Sequence, residues 1–244
     1  MGPPHLETVN RLLYDTYHNY EPLTKYLGLC KGLNSLRDVD REVEQILVKN
    51  LTLLAYDDDG KPVGVAVNNS CCKDEMKVTM EEALKGVEES YRPIQAIHHT
   101  LRRQNSHIYE EIGTDKMFSI RMIGVEVESR GQGVATNLIR RSILLAGCLG
   151  FRAIKAEATG SFGMKTFATV GMQPASSIRF DQNHYRDCNK TVMVDLTRYA
   201  DFEYQGRKVF EGIGSSEADS QGNPDTEITF MKKKFFQSAL KHIL

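Results

Sequence analysis

The stretch from Met117 to Ala135 constrains this chain most, because a strand whose apolar phase breaks runs into a glycine-bearing loop that opens a helix. Phe118, Ile120 and Met122 share one face, and Ser119 and Arg121 take the other. After Met122 the apolar positions slip to Ile123, Val125 and Val127. A strand changes phase only by carrying an extra residue, so a β-bulge is expected near 122–124. Gly124, with no side chain, eases that distortion. A bulge splays two neighbouring strands and opens a slot in the sheet. Arg130-Gly131-Gln132-Gly133-Val134-Ala135 follows directly. Its glycines let backbone N–H groups approach a phosphate at a helix N-terminus, where the dipole favours negative charge and no metal is needed.

Several known loops compete for this pattern. A P-loop ends in Gly-Lys-Ser/Thr, which is absent here. A Rossmann fingerprint wants Gly where Thr136 stands and a place in an opening βαβ unit. A glycine-rich turn with no ligand is the plainest alternative, and the bulged strand beside the loop argues against it. The pattern Arg/Gln-x-x-Gly-x-Gly/Ala, carried by Arg130, Gly133 and Ala135, resembles the acyl-CoA loop of the GNAT acetyltransferases.

Along the chain, residues 7–18 predict a helix with Val9, Leu13 and Tyr17 on one stripe, and Pro22 interrupts after Glu21. A second helical pattern covers 38–49. Strands at 51–56 and 63–67 flank Asp58-Asp59-Gly60, a hairpin turn. Residues 74–111 are expected to be helical with a break near Tyr91-Arg92-Pro93. A strand at 117–127, a helix at 134–148, a strand at 153–158 and a helix at 161–170 follow. Strands near 176–181, 190–196 and 226–232 close the pattern, with a polar loop at 214–225 and an amphipathic tail at 235–244. This order predicts one α/β domain spanning 1–244, a mixed and mostly antiparallel sheet with a splayed central strand pair and helices on both faces.

The chain has 244 residues and a net charge of −1, which gives no field to draw it to nucleic acid or an anionic membrane. No apolar run approaches the roughly 20 residues of a membrane span. The first residues lack the pattern of a signal peptide, so a cytoplasmic location is expected. Five cysteines without paired C-x-x-C spacing argue against a disulfide framework and a structural zinc site. Cys148, in an apolar helical stretch, is expected to be a small core residue. His98, His99 and His107 lie on a polar helical stretch without a second ligand set, so no metal is expected. Arg102-Arg103 and Arg140-Arg141 are expected to be solvated, and Lys232-Lys233-Lys234 to protect a sheet edge.

The chain is similar to the insect and nematode arylalkylamine (dopamine-type) N-acetyltransferases within the GNAT superfamily. Glu21-Pro22-Leu23-Thr24-Lys25, the hairpin Leu51 to Asn69, Met122-Ile123-Gly124-Val125 with the Arg130 loop, and Tyr199-Ala200-Asp201-Phe202 carry the likeness. The resemblance implies transfer of acetyl from acetyl-CoA to a small primary amine by direct attack. Glu21 is implied as general base, because the ammonium must lose a proton before attacking a thioester. The bulged strand at Ile123, Gly124 and Val125 is implied to hold the thioester and stabilise its oxyanion. The loop Arg130, Gly131, Gln132, Gly133, Val134, Ala135 and Thr136 is implied to hold the cofactor's pyrophosphate.

Two hydroxyls that assist proton transfer in the family fall on Thr159 and Gly163, of which only Thr159 keeps one. Tyr185 and His184 are weaker candidates for an acid at the thiolate. The family's first strand has no room in residues 1–6. A small-molecule amine is the expected partner of a monomeric chain. The alternatives are a GNAT enzyme acting on polyamines or protein N-termini, and a non-catalytic acyl-CoA-binding module.

Overall fold

The computed structural model of the chain describes residues 5–29, 37–179, 184–187, 190–193, 203–204, 207–208 and 227–235. It opens with α1 (Leu6–Leu13), which runs into a π-helical turn (Tyr14–His18), and continues through α2 (Pro22–Tyr26) and α3 (Arg37–Leu47). The single helix expected over 7–18 thus changes winding at Tyr14. Pro22 starts a helix instead of merely ending one, since its missing N–H and fixed φ suit the first helical position.

The hairpin β1 (Leu53–Tyr56) and β2 (Pro62–Cys72) turns through Gly60, whose φ of +78° favours glycine. β2 extends five residues beyond the expected strand. Asn68-Asn69-Ser70 has the composition of a turn. Buried Asn68 instead donates its amide to Leu51 O at 3.0 Å and Ser142 Oγ at 2.9 Å, so its polar group is satisfied inside the protein.

The long helical region predicted over 74–111 is broken into a 3₁₀ turn (Lys73–Lys77), α4 (Met80–Leu84), α5 (Arg92–Gln104) and α6 (Ile108–Ile112). Thr79 caps α4 in a capping box with Glu82, and Pro93 sits in the first turn of α5. Next come β3 (Lys116–Val125), α7 (Val134–Cys148), β4 (Ala153–Ala158), α8 (Ser161–Thr169) and β5 (Gln173–Arg179). The remaining described strands are β6 (His184–Asp187), β7 (Lys190–Met193), the short pair β8 (Glu203–Tyr204) and β9 (Arg207–Lys208), and β10 (Glu227–Lys234). The expected loop at 214–225 and the tail beyond Phe235 lie outside the described residues, as do residues 1–4.

Eight strands form one sheet in the order β1-β2-β3-β4-β10-β5-β6-β7. The β3–β4 pair is parallel and the other neighbours are antiparallel. One face is covered by α1 and α3 through Val9, Leu12, Val43 and Ile46, and by α5 and α6 through Ile97, Leu101 and Tyr109. The opposite face packs Phe118, Ile120, Ile154 and Ala156 beneath Ile139 of α7 and Phe167 of α8. This is the mixed sheet with helices on both faces.

β10 lies in the sheet interior, so Lys232-Lys233-Lys234 does not guard an edge. Lys232 pairs with Glu111 at 2.9 Å, and Lys233 Nζ donates to Val170 O at 2.7 Å. Cys148 is exposed, because the buried face of α7 runs through Leu138, Ile139, Ser142 and Ala146 and turns away before residue 148. Among the described residues no helix is long and apolar enough to cross a membrane.

The candidate acyl-transfer fork

β3 and β4 share only three ladder positions: Phe118 with Ile154, Ser119 with Lys155 and Ile120 with Ala156. Beyond them β3 follows β2 to Val125, and β4 follows β10 to Ala158, so the sheet opens into a fork. The register jump on β3 matches Val67 with Met122 and Asn68 with Ile120. The extra residue is therefore Arg121, and the bulge lies at 120–122 instead of 122–124. Alternation misplaced it because both faces of β3 are covered. Met122 is apolar yet packs on the α1 and α3 side, across the sheet from Phe118 and Ile120.

Gly124 serves a different purpose from easing the bulge. A Cβ there would collide with Thr16 Oγ1, so the missing side chain admits the π-helical turn against β3. Gly124→Ala is expected to cost about 1–3 kcal/mol by chemical denaturation. Adding Thr16→Ala should recover part of that loss. A single variant within about 0.5 kcal/mol of wild type would exclude this close packing.

The backbone alternation assigns the fork's polar edge. Glu126 N–H donates to Val63 O at 2.9 Å, so residues 122, 124 and 126 turn their N–H and C=O groups to β2. Ile123 and Val125 turn theirs into the fork, and Gly124 does not. Below them the loop reaches α7, whose N-terminal residue Gly133 has φ +81° and no side-chain cap. Gly131 (φ +75°) and Gly133 both face open space, with no atom within 4 Å of the point a Cβ would occupy. The first N–H groups of a helix lack intrahelical partners, here those of Val134, Ala135 and Thr136, and no acidic residue occupies that turn. These amides and the helix dipole form a cradle suited to a pyrophosphate.

Arg130 does not point into that cradle. Its Nε donates to Val125 O at 3.2 Å, its Nη2 to Thr16 O at 3.5 Å, and its guanidinium lies 4.1 Å from the centre of the Tyr20 ring. It clamps the end of β3 to the π-helical turn. Gln132 Nε2 donates to Glu128 O at 3.0 Å and ties the loop to itself. Arg140 and Arg141 are exposed on α7.

Glu21 is buried and caps α2. Oε1 accepts from Leu23 N–H at 3.1 Å, and Oε2 accepts from Thr24 N–H at 2.7 Å and from Thr24 Oγ1 at 2.5 Å. Thr159, also buried, follows the last residue of β4. At Gly163 a Cβ would meet only Ala158 Cβ at 3.7 Å, so the position has room for a small side chain. His184 and Tyr185 fall on β6, where only the backbone is described.

Between the fork and its covering helices lies a buried ionic cluster. Glu157, just past the last pair with β3, accepts from Arg102 Nε at 2.8 Å and lies 2.6 Å from His98 Nδ1 and 3.5 Å from Lys155 Nζ. Arg121 Nε donates to Glu42 Oε1 on α3 at 2.9 Å. Burial favours the neutral carboxyl at both acids, but Arg102 above all holds Glu157 well below the usual range, and Arg121 lowers Glu42. Tyr17 and Tyr91 are raised above the ordinary phenol, first by burial and further by Glu21 and Glu42 nearby.

The sequence pattern missed this cluster. Arg102, expected in solvent, is half-buried against Glu157, and the apparently polar helix at His98 and His99 is the amphipathic α5. A signal was present in Ala153-Ile154-Lys155-Ala156-Glu157, where charges alternate with apolar residues and suggest an exposed face. That face is covered by α5.

The arrangement has known counterparts. No family model and no curated protein matches the chain. Arylalkylamine N-acetyltransferase 2 from Aedes aegypti superposes with a TM-score of 0.72 at 22% identity over 94% of each chain. The mosquito arylalkylamine N-acetyltransferase like 5b gives 0.73 at 21% identity over 95% of each chain. The Drosophila melanogaster polyamine N-acetyltransferase, which forms N-acetylagmatine, gives 0.68 at 14% identity over 95% of each. With a bulged central strand, a fork beside it and a glycine loop opening the following helix, the chain has the GNAT acetyltransferase fold in the form taken by these insect N-acetyltransferases.

Proposed function

We propose that the chain is an acetyl-CoA-dependent N-acetyltransferase acting on a small primary amine of the arylalkylamine type, such as dopamine, tyramine, octopamine or serotonin. The observation that carries this reading is the β3–β4 fork opening beside the uncapped N-terminus of α7. The pyrophosphate would rest on the amides at 131–136, and the thioester would lie in the fork against the free N–H groups of Ile123 and Val125. Those groups are placed to receive negative charge on the thioester oxygen as the tetrahedral intermediate forms. Arg130 acts indirectly, by fixing Val125.

Glu21 is the proposed general base. The ammonium gives a proton to Glu21 Oε2, and the neutral amine attacks the carbonyl carbon. A second N–H proton leaves to solvent as the C–S bond breaks, and the thiolate takes a proton from solvent or from Thr159, whose hydroxyl is reprotonated from solvent. Thr24 donates to the same oxygen through a rotatable hydroxyl, which can turn aside when the proton arrives. A polyamine substrate is less well served. The two carboxylates of the cluster, Glu42 and Glu157, are already matched by arginines.

Release of free thiol from acetyl-CoA, measured across tyramine, dopamine, serotonin, histamine and spermidine, tests the reaction and ranks the substrates. A chain that binds CoA without thiol release on any amine would be a binding module. Gly133→Val tests the cradle. Its Cβ branches enter open space where phosphate must approach, so CoA affinity by calorimetry should fall at least about tenfold. The positive φ adds a backbone cost on the order of 1–2 kcal/mol. Gly150→Val, at φ +78° beyond the far end of α7, carries the same cost and should leave CoA affinity unchanged. Equal affinities in the two folded variants would remove the loop from the site.

A further inference from the structure

Arg121 stands where β3 and β4 part. Continuing the parallel register of Phe118 with Ile154 and Ile120 with Ala156 would place Arg121 opposite Glu157, and the ladder stops at that pair. In place of a ladder step there is an ionic one. Arg121 Nη1 lies 3.7 Å from Glu157 Oε2, while Nε and Nη2 both bond Glu42 Oε1 on α3. Glu157 is held from its other side by Arg102 and His98 of α5. One guanidinium therefore joins the two arms of the fork and draws them towards two covering helices. A planar group with several fixed donors can serve both carboxylates at once, which a lysine ammonium does poorly.

The surroundings resist closure of the gap. Among the described residues, Arg121, Arg102 and Lys155 face Glu42 and Glu157, three cations against two carboxylates, with the His98 ring also against Glu157. Among the described residues, neither Lys155 Nζ nor Arg102 Nη2, both buried, has a hydrogen-bond acceptor. Zipping the strands one step further would pack this excess charge more tightly against the sheet with no added acceptor.

We propose that Arg121 is a positioning residue that sets the opening of the fork, and with it the place of the acyl thioester against Ile123 and Val125. The inference rests on the reading that the fork holds that thioester. The acyl chain would then be gauged by the distance between the arms, so Arg121 also governs which acyl groups fit.

Arg121→Met tests it. The change takes Arg121 from Glu42, which is partly exposed and can be met by water, while Arg102 and His98 still hold Glu157. The variant is therefore expected to fold with some loss of stability, as circular dichroism would show. Affinity for CoA, measured by calorimetry, should stay within about threefold of wild type, because the cradle at α7 is untouched. The kcat with acetyl-CoA should fall on the order of 10²-fold, the loss expected from an ångström-scale misplacement. The wild-type preference for acetyl-CoA over butyryl-CoA should narrow, which loss of stability alone would not produce. Arg121→Lys should be intermediate.

Should Arg121→Met fail to fold, Glu42→Gln removes only the partly exposed anchor on α3 and should shift kcat and acyl preference in the same direction by less. Folded variants with wild-type kcat and unchanged acyl preference would overturn the role of Arg121 and leave the acetyltransferase reading intact. A parallel loss of CoA affinity and kcat would overturn it too, as general damage to the site. A wild-type chain that releases no thiol from any acyl-CoA would bring down both.

Discussion

Glu21→Gln is expected to lower kcat by about 10²–10⁴-fold near neutral pH, the range that general-base catalysis contributes. The substitution keeps the shape of the side chain and removes the proton acceptor. The fold adds a second effect, because Glu21 is also the N-cap of α2. A glutamine turns an amide NH₂ towards either Leu23 N–H or Thr24 N–H, so one cap bond is lost. That loss is worth roughly 0.5–2 kcal/mol of stability. pH separates the two contributions. Raising it supplies more neutral amine and should partly rescue the rate of the variant, whereas a damaged cap gains nothing from alkali. Acetyl-CoA affinity should be nearly unchanged, since the cradle lies on α7. A folded Glu21→Gln enzyme with wild-type kcat and an unaltered pH profile would leave Glu21 a capping residue and the base elsewhere.

The second large effect concerns stability. Glu157→Gln should destabilise the protein by about 3–5 kcal/mol, the usual consequence of stripping one partner from a buried ionic group. Among the described residues, Arg102, Arg121 and Lys155 would then be left with Glu42 as the cluster's one carboxylate, and Lys155 Nζ already lacks a hydrogen-bond acceptor. Lys155→Met should cost less, because the ammonium it removes makes only long contacts, 3.5 Å to Glu157 Oε1 and 5.4 Å to the centre of the Phe230 ring.

The sign of the pH dependence follows from the depressed pKa of Glu157. Its contribution is present above the unfolded value of about 4.3, where the folded carboxylate is charged and paired. It is lost as pH falls towards the folded value, because the unfolded chain binds the proton first. Denaturation midpoints of wild type should therefore decline on acidification below that point, and those of Glu157→Gln should decline less. A Glu157→Gln variant within about 1 kcal/mol of wild type would mean that the cluster is solvated and contributes little.

How far the sequence reached depended on whether the information was local. The hairpin at Gly60, α7 at 134–148 and β4 at 153–158 were legible because periodicity and turn chemistry act over a few residues. The glycine loop was legible for the same reason, since positive φ and open amides are properties of the loop itself. The phase slip announced a bulge but pointed to the wrong residue. Alternation locates a bulge only when one face is wet, and here α1 and α3 cover one side while α7 and α8 cover the other.

The remaining features were decided by elements far apart in the chain. β10 enters the sheet between β4 and β5, and no local pattern tells an interior strand from an edge strand when both end in lysines. Gly124 is required by Thr16, more than a hundred positions earlier. Arg130 belongs to a phosphate-loop pattern, yet its guanidinium is spent on Val125, Thr16 and Tyr20. Glu42, Arg102, Arg121, Lys155 and Glu157 each look like a solvated charge in isolation, since most charged residues are. They become one buried cluster only when α3, α5, β3 and β4 meet. The sequence alone determined the strand, the loop and the helix that make the cradle proposed to take acyl-CoA. Tertiary structure decided what holds the fork open, because the cost of burying charge is set by neighbours that only the folded chain brings together.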